Sequence, residues 1–194
     1  MPLSLHDYVL SAECYTVRLM LALLAVPYAR IAVDVYPGGA EAPVLEDGDI
    51  VLRDPGLILA HLARSYDAAG TWLPGDVASD VAKWLAFAVT DLTALLDARR
   101  VSVLGQPGDL EALRRKGWLA LRRLDDRLAD RHLADATWLV GGAPTIADIA
   151  VFPAVMLSHD SGIGHEDFPA INLWQRRVRK LPRFIGMPGI PDYF

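Results

Sequence analysis

The chain opens on alternation. From residue 3 to residue 8 apolar and polar side chains take turns, the period of a half-buried strand, and over 11–26 the spacing lengthens until Val17, Leu21 and Leu24 share one face, as in a helix. Alternation returns at Ala29, Ile31, Val33 and Val35, which predicts a second strand over 28–35. A strand-helix-strand unit of this length implies parallel pairing. Two short apolar runs follow, 43–45 and 50–52, joined by Glu46-Asp47-Gly48-Asp49, whose Asp-Gly pair predicts a tight antiparallel hairpin. Asp54-Pro55 then reads as a helix start, with the carboxylate as cap and proline at the first helical position, leading into 57–64. The first part is therefore β-α-β followed by β-β-α.

Beyond residue 67 the pattern changes. Ala-Ala-Gly and Leu-Pro-Gly interrupt it over 67–76, and all later periodicity is helical: 77–100, 109–133, 145–157 and 168–181, the first two separated by Gly105-Gln106-Pro107-Gly108. The expected organisation is an α/β domain over 1–68, a linker over 69–76 and an all-helical domain over 77–194. Thr145 and Asp148 have the spacing of a capping box just before the apolar run 149–155, with Asp in place of Glu or Gln, and this pair is assigned to folding.

Composition removes several functions. With a formal net charge of −5, the chain has no overall positive field for nucleic acid or an anionic membrane. The longest apolar run, 19–26, is far short of the roughly 20 residues of a membrane helix. The first residues lack a basic segment before an apolar one, so a cytoplasmic location is expected. Cys14 is the one cysteine, which excludes an internal disulfide. His6, His61, His132, His159 and His165 match no metal spacing, and no metal is expected. The arginine pairs at 99–100, 114–115, 122–123 and 176–177 lie among acidic residues on helices and read as solvated faces or ion pairs.

Three landmarks in order, the stretch from Tyr8 through Ser11 and Cys14 to Leu19, the hairpin from Pro43 to Gly48, and the cap from Thr145 to Asp148, resemble those of bacterial glutathione transferases over nearly the whole chain. The resemblance implies a thioredoxin-like domain (βαβ-ββα, lacking the usual second helix) plus an all-α C-terminal domain, with glutathione as co-substrate. It also implies a homodimer and a small apolar electrophile as the second substrate. In the family the hairpin proline is cis.

The resemblance makes Ser11 the group that stabilises the glutathione thiolate. A hydroxyl where strand meets helix can donate to a sulfur near a helix N-terminus, and both the hydrogen bond and the terminus favour the anion. Serine is also a common helix cap, so both readings of Ser11 stand. The backbone of Ala42 before Pro43 is implied for the cysteinyl amide, and Asp54 for the γ-glutamyl ammonium or as a cap. Tyr8, Arg99 and Trp118 are pocket candidates, and Cys14 is either a reactive thiol or a packed one.

Two departures from the family matter. Residues 36–42 are too few for an ordinary helix with its turns, and Pro55 stands where a serine hydroxyl and amide would hold a carboxylate, offering neither donor. They support a competing expectation, a transferase-fold binding protein with weak or no grip on glutathione.

Overall fold

The computed structural model describes residues 3–34 and 42–188, which form two compact units: residues up to Gly70 together with 181–188, and Thr71–Lys180. In the first unit a four-stranded sheet has the order β2-β1-β3-β4, with β1 at Ser4–Asp7, β2 at Ala29–Ala32, β3 at Val44–Asp47 and β4 at Ile50–Leu52. β1 runs parallel to β2 and antiparallel to β3, and β3 runs antiparallel to β4. This is the mixed sheet that the βαβ-ββα pattern implies, a thioredoxin-like arrangement. Gly48, at φ 62, takes the first of the two turn positions between Asp47 and Ile50, a conformation that a residue with a Cβ resists.

Helix α1, Ala12–Leu23, buries Val17, Leu19, Leu21 and most of its other side chains, and packs against α2, Pro55–Tyr66. Leu5 of β1 and Leu45 of β3, opposite each other in the register, lie in the same core. Strand β2 is shorter than the alternation predicts; Val33 still donates to the Asp7 carbonyl at 3.2 Å, and Val35 lies outside the described residues. So does the 36–42 connection, except for Ala42. The segment after residue 180 packs with this unit: Tyr15 of α1 donates its hydroxyl to the Ile185 carbonyl at 2.7 Å, and Met187 is buried.

The second unit holds α3 at Ala78–Thr90, α4 at Thr93–Leu104, α5 at Leu110–Leu133, α6 at Ile146–Met156 and α7 at Pro169–Arg179. A single helix over 77–100 was expected, and the structure breaks it at Asp91 and Leu92. There the Leu92 amide reaches back five residues to the Phe87 carbonyl, and the hydroxyls of Thr90 and Thr93 bond to the carbonyls of Ala86 and Thr90. Threonine hydroxyls compete with the helical ladder, and the wider turn leaves Leu92 fully buried. Helix α6 is buried on nearly every side, with Phe152 edge-on to Trp174 of α7. Among the described residues no helix is long and apolar enough to cross a membrane.

Candidate functional site

The register places three sequence-predicted groups at one end of the sheet. His6 lies opposite Val44, so β1 leaves the sheet toward Tyr8 at the end where Ala42 and Pro43 enter it, and Leu45 opposite Leu52 carries the chain toward Asp54 at that same end. The Ala42–Pro43 peptide bond is cis. These residues belong to three separate loops, and strand pairing alone gathers them.

Ser11 is the cap of α1. Its hydroxyl oxygen accepts the Cys14 amide at 3.1 Å, its own hydrogen goes to Glu13 Oε2 at 2.9 Å, and the side chain is half-buried. The preceding loop is held from two sides. The Ser11 amide donates to the Tyr8 carbonyl at 3.0 Å, and Arg18, nearly two turns along α1, donates to the carbonyls of Tyr8 at 3.5 Å and Val9 at 3.1 Å. Arg18 is itself buried, and its charge is met by the equally buried Asp7, which also receives Nε of Arg30 from β2.

That cluster was not anticipated from the sequence, although its signal is there. Leu3, Leu5 and Asp7 occupy one register, so Asp7 falls on the buried face, where a lone carboxylate is too costly to leave unpaired. The two arginines answer that charge, and the loop that presents Ser11 is anchored as a result.

Cys14 has no exposed surface, and its sulfur accepts the Tyr8 amide at 3.4 Å. Burial pushes its thiol up, and the hydrogen bonds with Ser11 and Tyr8 only partly oppose this. The environment favours a packed neutral thiol over a reactive thiolate. Asp54 accepts the Leu57 amide at 2.8 Å as the cap of α2, with Pro55 at the first helical position, and its carboxylate stays exposed to solvent. At the opposite end of β3, beside the hairpin turn, Asp47 accepts from Tyr66 at 2.8 Å and pairs with His61 at 2.8 Å, and these hydrogen bonds, His61 first, hold its carboxyl below the usual range.

Tyr8 lies half-buried beside Ser11 in the first unit, whereas Arg99 and Trp118 belong to the second. Arg99 is buried and pairs with Asp160 at 2.7 Å, which ties α4 to the 3-10 turn at Leu157–Ser161. Trp118, on α5, is partly exposed, with its ring 5.6 Å from that of Phe168. The other arginines expected in ion pairs include Arg100 on Asp97, Arg114 on Glu111 and Arg123 on Asp91.

A thioredoxin-like unit with a capped, half-exposed serine at its first helix, followed by a helical unit built around a buried capping box, is the architecture of a glutathione transferase. Comparison agrees. Residues 108–177 match the family model for the C-terminal domain of glutathione S-transferases. Glutathione S-transferase theta-1 of Bos taurus is 28% identical over 204 residues, covering 92% of this chain and 82% of that protein.

Among solved structures, a glutathione S-transferase from Pseudomonas fluorescens superposes with a TM-score of 0.83 at 27% identity, over 97% of this chain and all of the other. One from Xanthobacter autotrophicus gives 0.83 at 25%, covering 96% and 97%. The chain is thus similar to glutathione S-transferases over nearly its whole length, and it matches their family model over its C-terminal helices.

Proposed function

We propose that the protein binds glutathione at the Ser11 end of its sheet, ionises the thiol there, and directs the thiolate onto a small apolar electrophile. The observation that carries this reading is Ser11 itself: a half-buried hydroxyl on the N-terminus of α1, at the sheet end where the cis Ala42–Pro43 bond and Asp54 also lie. The relatives' names, glutathione S-transferases, supply the co-substrate.

The roles follow from donor chemistry. The Ser11 hydroxyl donates to the sulfur, and the first-turn amides of α1 add their dipole. A hydrogen bond to an anion contributes about 1.5–3 kcal/mol and a helix terminus about 0.3–1, so together they lower a thiol pKa near 8.5 by roughly one to three units. The Ala42 backbone takes the cysteinyl amide, Asp54 takes the γ-glutamyl ammonium while still capping α2, and Tyr8 offers aromatic surface to the electrophile. Arg99, buried on Asp160, serves the helical unit's packing. The active assembly is a homodimer.

Calorimetric titration with glutathione, together with conjugation to an aryl halide, tests the proposal. Binding at millimolar or tighter affinity is expected, with turnover that collapses in Ser11→Ala. A folded protein that gives neither heat nor turnover is instead a transferase-fold binding protein, as Pro55 in place of a carboxylate-binding donor would allow.

A further inference from the structure

The hydroxyl of Ser11 has a single hydrogen and two lone pairs. The hydrogen is committed to Glu13 Oε2 at 2.9 Å, and one lone pair takes the Cys14 amide at 3.1 Å. The Cys14 thiol is a third neighbour of the same hydroxyl, and a thiolate, which needs a donor, finds none until the hydrogen on Glu13 turns away.

We propose that Glu13 is a positioning residue that sets how much of the bound thiol is ionised, because the thiolate must take the Ser11 hydrogen away from the Glu13 carboxylate. This rests on the glutathione reading above. The exchange at Ser11 is a rotation of its hydroxyl; the S–H bond of the thiol breaks, its electron pair stays on sulfur and its proton leaves to solvent water. When the hydroxyl turns to sulfur, Glu13 loses a donor and two anions then share the positive end of α1. Lost hydrogen bond and like charge both favour the neutral thiol. Arg18 does not offset this, since its charge is met by Asp7 and its donors hold the Tyr8 and Val9 carbonyls. Glu13 thus keeps Ser11 oriented at rest and restrains ionisation when glutathione arrives.

The test compares wild type, Glu13→Ala, Glu13→Gln, Ser11→Ala and the Glu13→Ala/Ser11→Ala double variant, each as the full chain. The readouts are the ultraviolet thiolate band of bound glutathione at neutral pH, calorimetric binding of S-methylglutathione, and thermal melting. In Glu13→Ala the thiolate-to-thiol ratio is expected to rise about tenfold, equivalent to about 1.4 kcal/mol, with kcat rising in step. S-methylglutathione affinity and melting stay as in wild type. Glu13→Gln, which keeps an acceptor without the charge, falls between the two. In the Ser11→Ala background most of the gain disappears. An unchanged or smaller thiolate band in Glu13→Ala, with S-methylglutathione still bound, overturns the role of Glu13 and leaves the glutathione reading intact. If neither glutathione nor S-methylglutathione binds any variant, both fall together.

Discussion

Two helices in this chain begin with a hydroxyl and a carboxylate, and they use them differently. At α6, Thr145 and Asp148 are both buried; the Asp148 carboxylate accepts the amides of Leu139 at 3.1 Å and Thr145 at 2.9 Å and the indole N–H of Trp174 at 2.9 Å. The carboxylate has no exposed surface, and these donors hold it inside the helical unit. At α1, Ser11 and Glu13 hold each other at the half-buried rim of the sheet, with a hydroxyl hydrogen that can turn elsewhere. The same cap chemistry stabilises a fold where it is closed, and can serve a substrate where it is open.

If that contrast holds, breaking the closed cap should cost stability, and breaking the open one should cost chemistry. The largest stability effect is expected from Asp148→Ala, which strands two buried amides and an indole N–H at about 1–3 kcal/mol each before relaxation, so a loss of roughly 3–5 kcal/mol should appear in urea unfolding. Burial pushes the Asp148 carboxyl up, and its hydrogen bonds oppose this. The anchor is thus a network of donors more than a free-standing charge.

A smaller effect of similar origin is expected in acid. Burial, aided by the neighbouring His159, lowers His165 to about 4. The ring is neutral in the fold and takes a proton on unfolding, so its contribution is complete above the unfolded value near 6.5 and is lost as pH falls toward 4. Unfolding between those limits should show stability declining by up to roughly 1.4 kcal/mol per pH unit from this group, and His165→Asn should flatten that slope. A slope unchanged in the variant would assign the acid sensitivity elsewhere. At the bottom of the scale, Ser11→Ala should cost about 1 kcal/mol of stability, as for any lost cap. A loss as large as that of Asp148→Ala would make Ser11 a structural anchor and erase the contrast.

The legibility of the two caps also differs. Thr145 and Asp148 could be assigned to folding from spacing alone, because a box before a fully apolar run has one physical use. Ser11 could be placed at the start of α1 by periodicity, but its hydrogen-bond partner could not: Glu13 is two positions away, and whether its side chain folds back depends on rotamers that the pattern does not encode. The sheet order and the Gly48 hairpin were readable because alternation and turn chemistry agree locally. The break at Asp91 and Leu92 was not, since threonine and aspartate interrupt a helix only when a tertiary contact, here the burial of Leu92, rewards the wider turn. Asp7 was readable in principle, as a charge in an apolar register, and its arginines were the partners to look for.

The central claim is that the open cap of α1 stabilises a sulfur anion, and the ultraviolet difference spectrum of bound glutathione measures that anion directly. A thiolate band at neutral pH in the wild type, lost in Ser11→Ala while S-methylglutathione still binds, is the predicted result. A band of equal strength in both proteins would contradict the account.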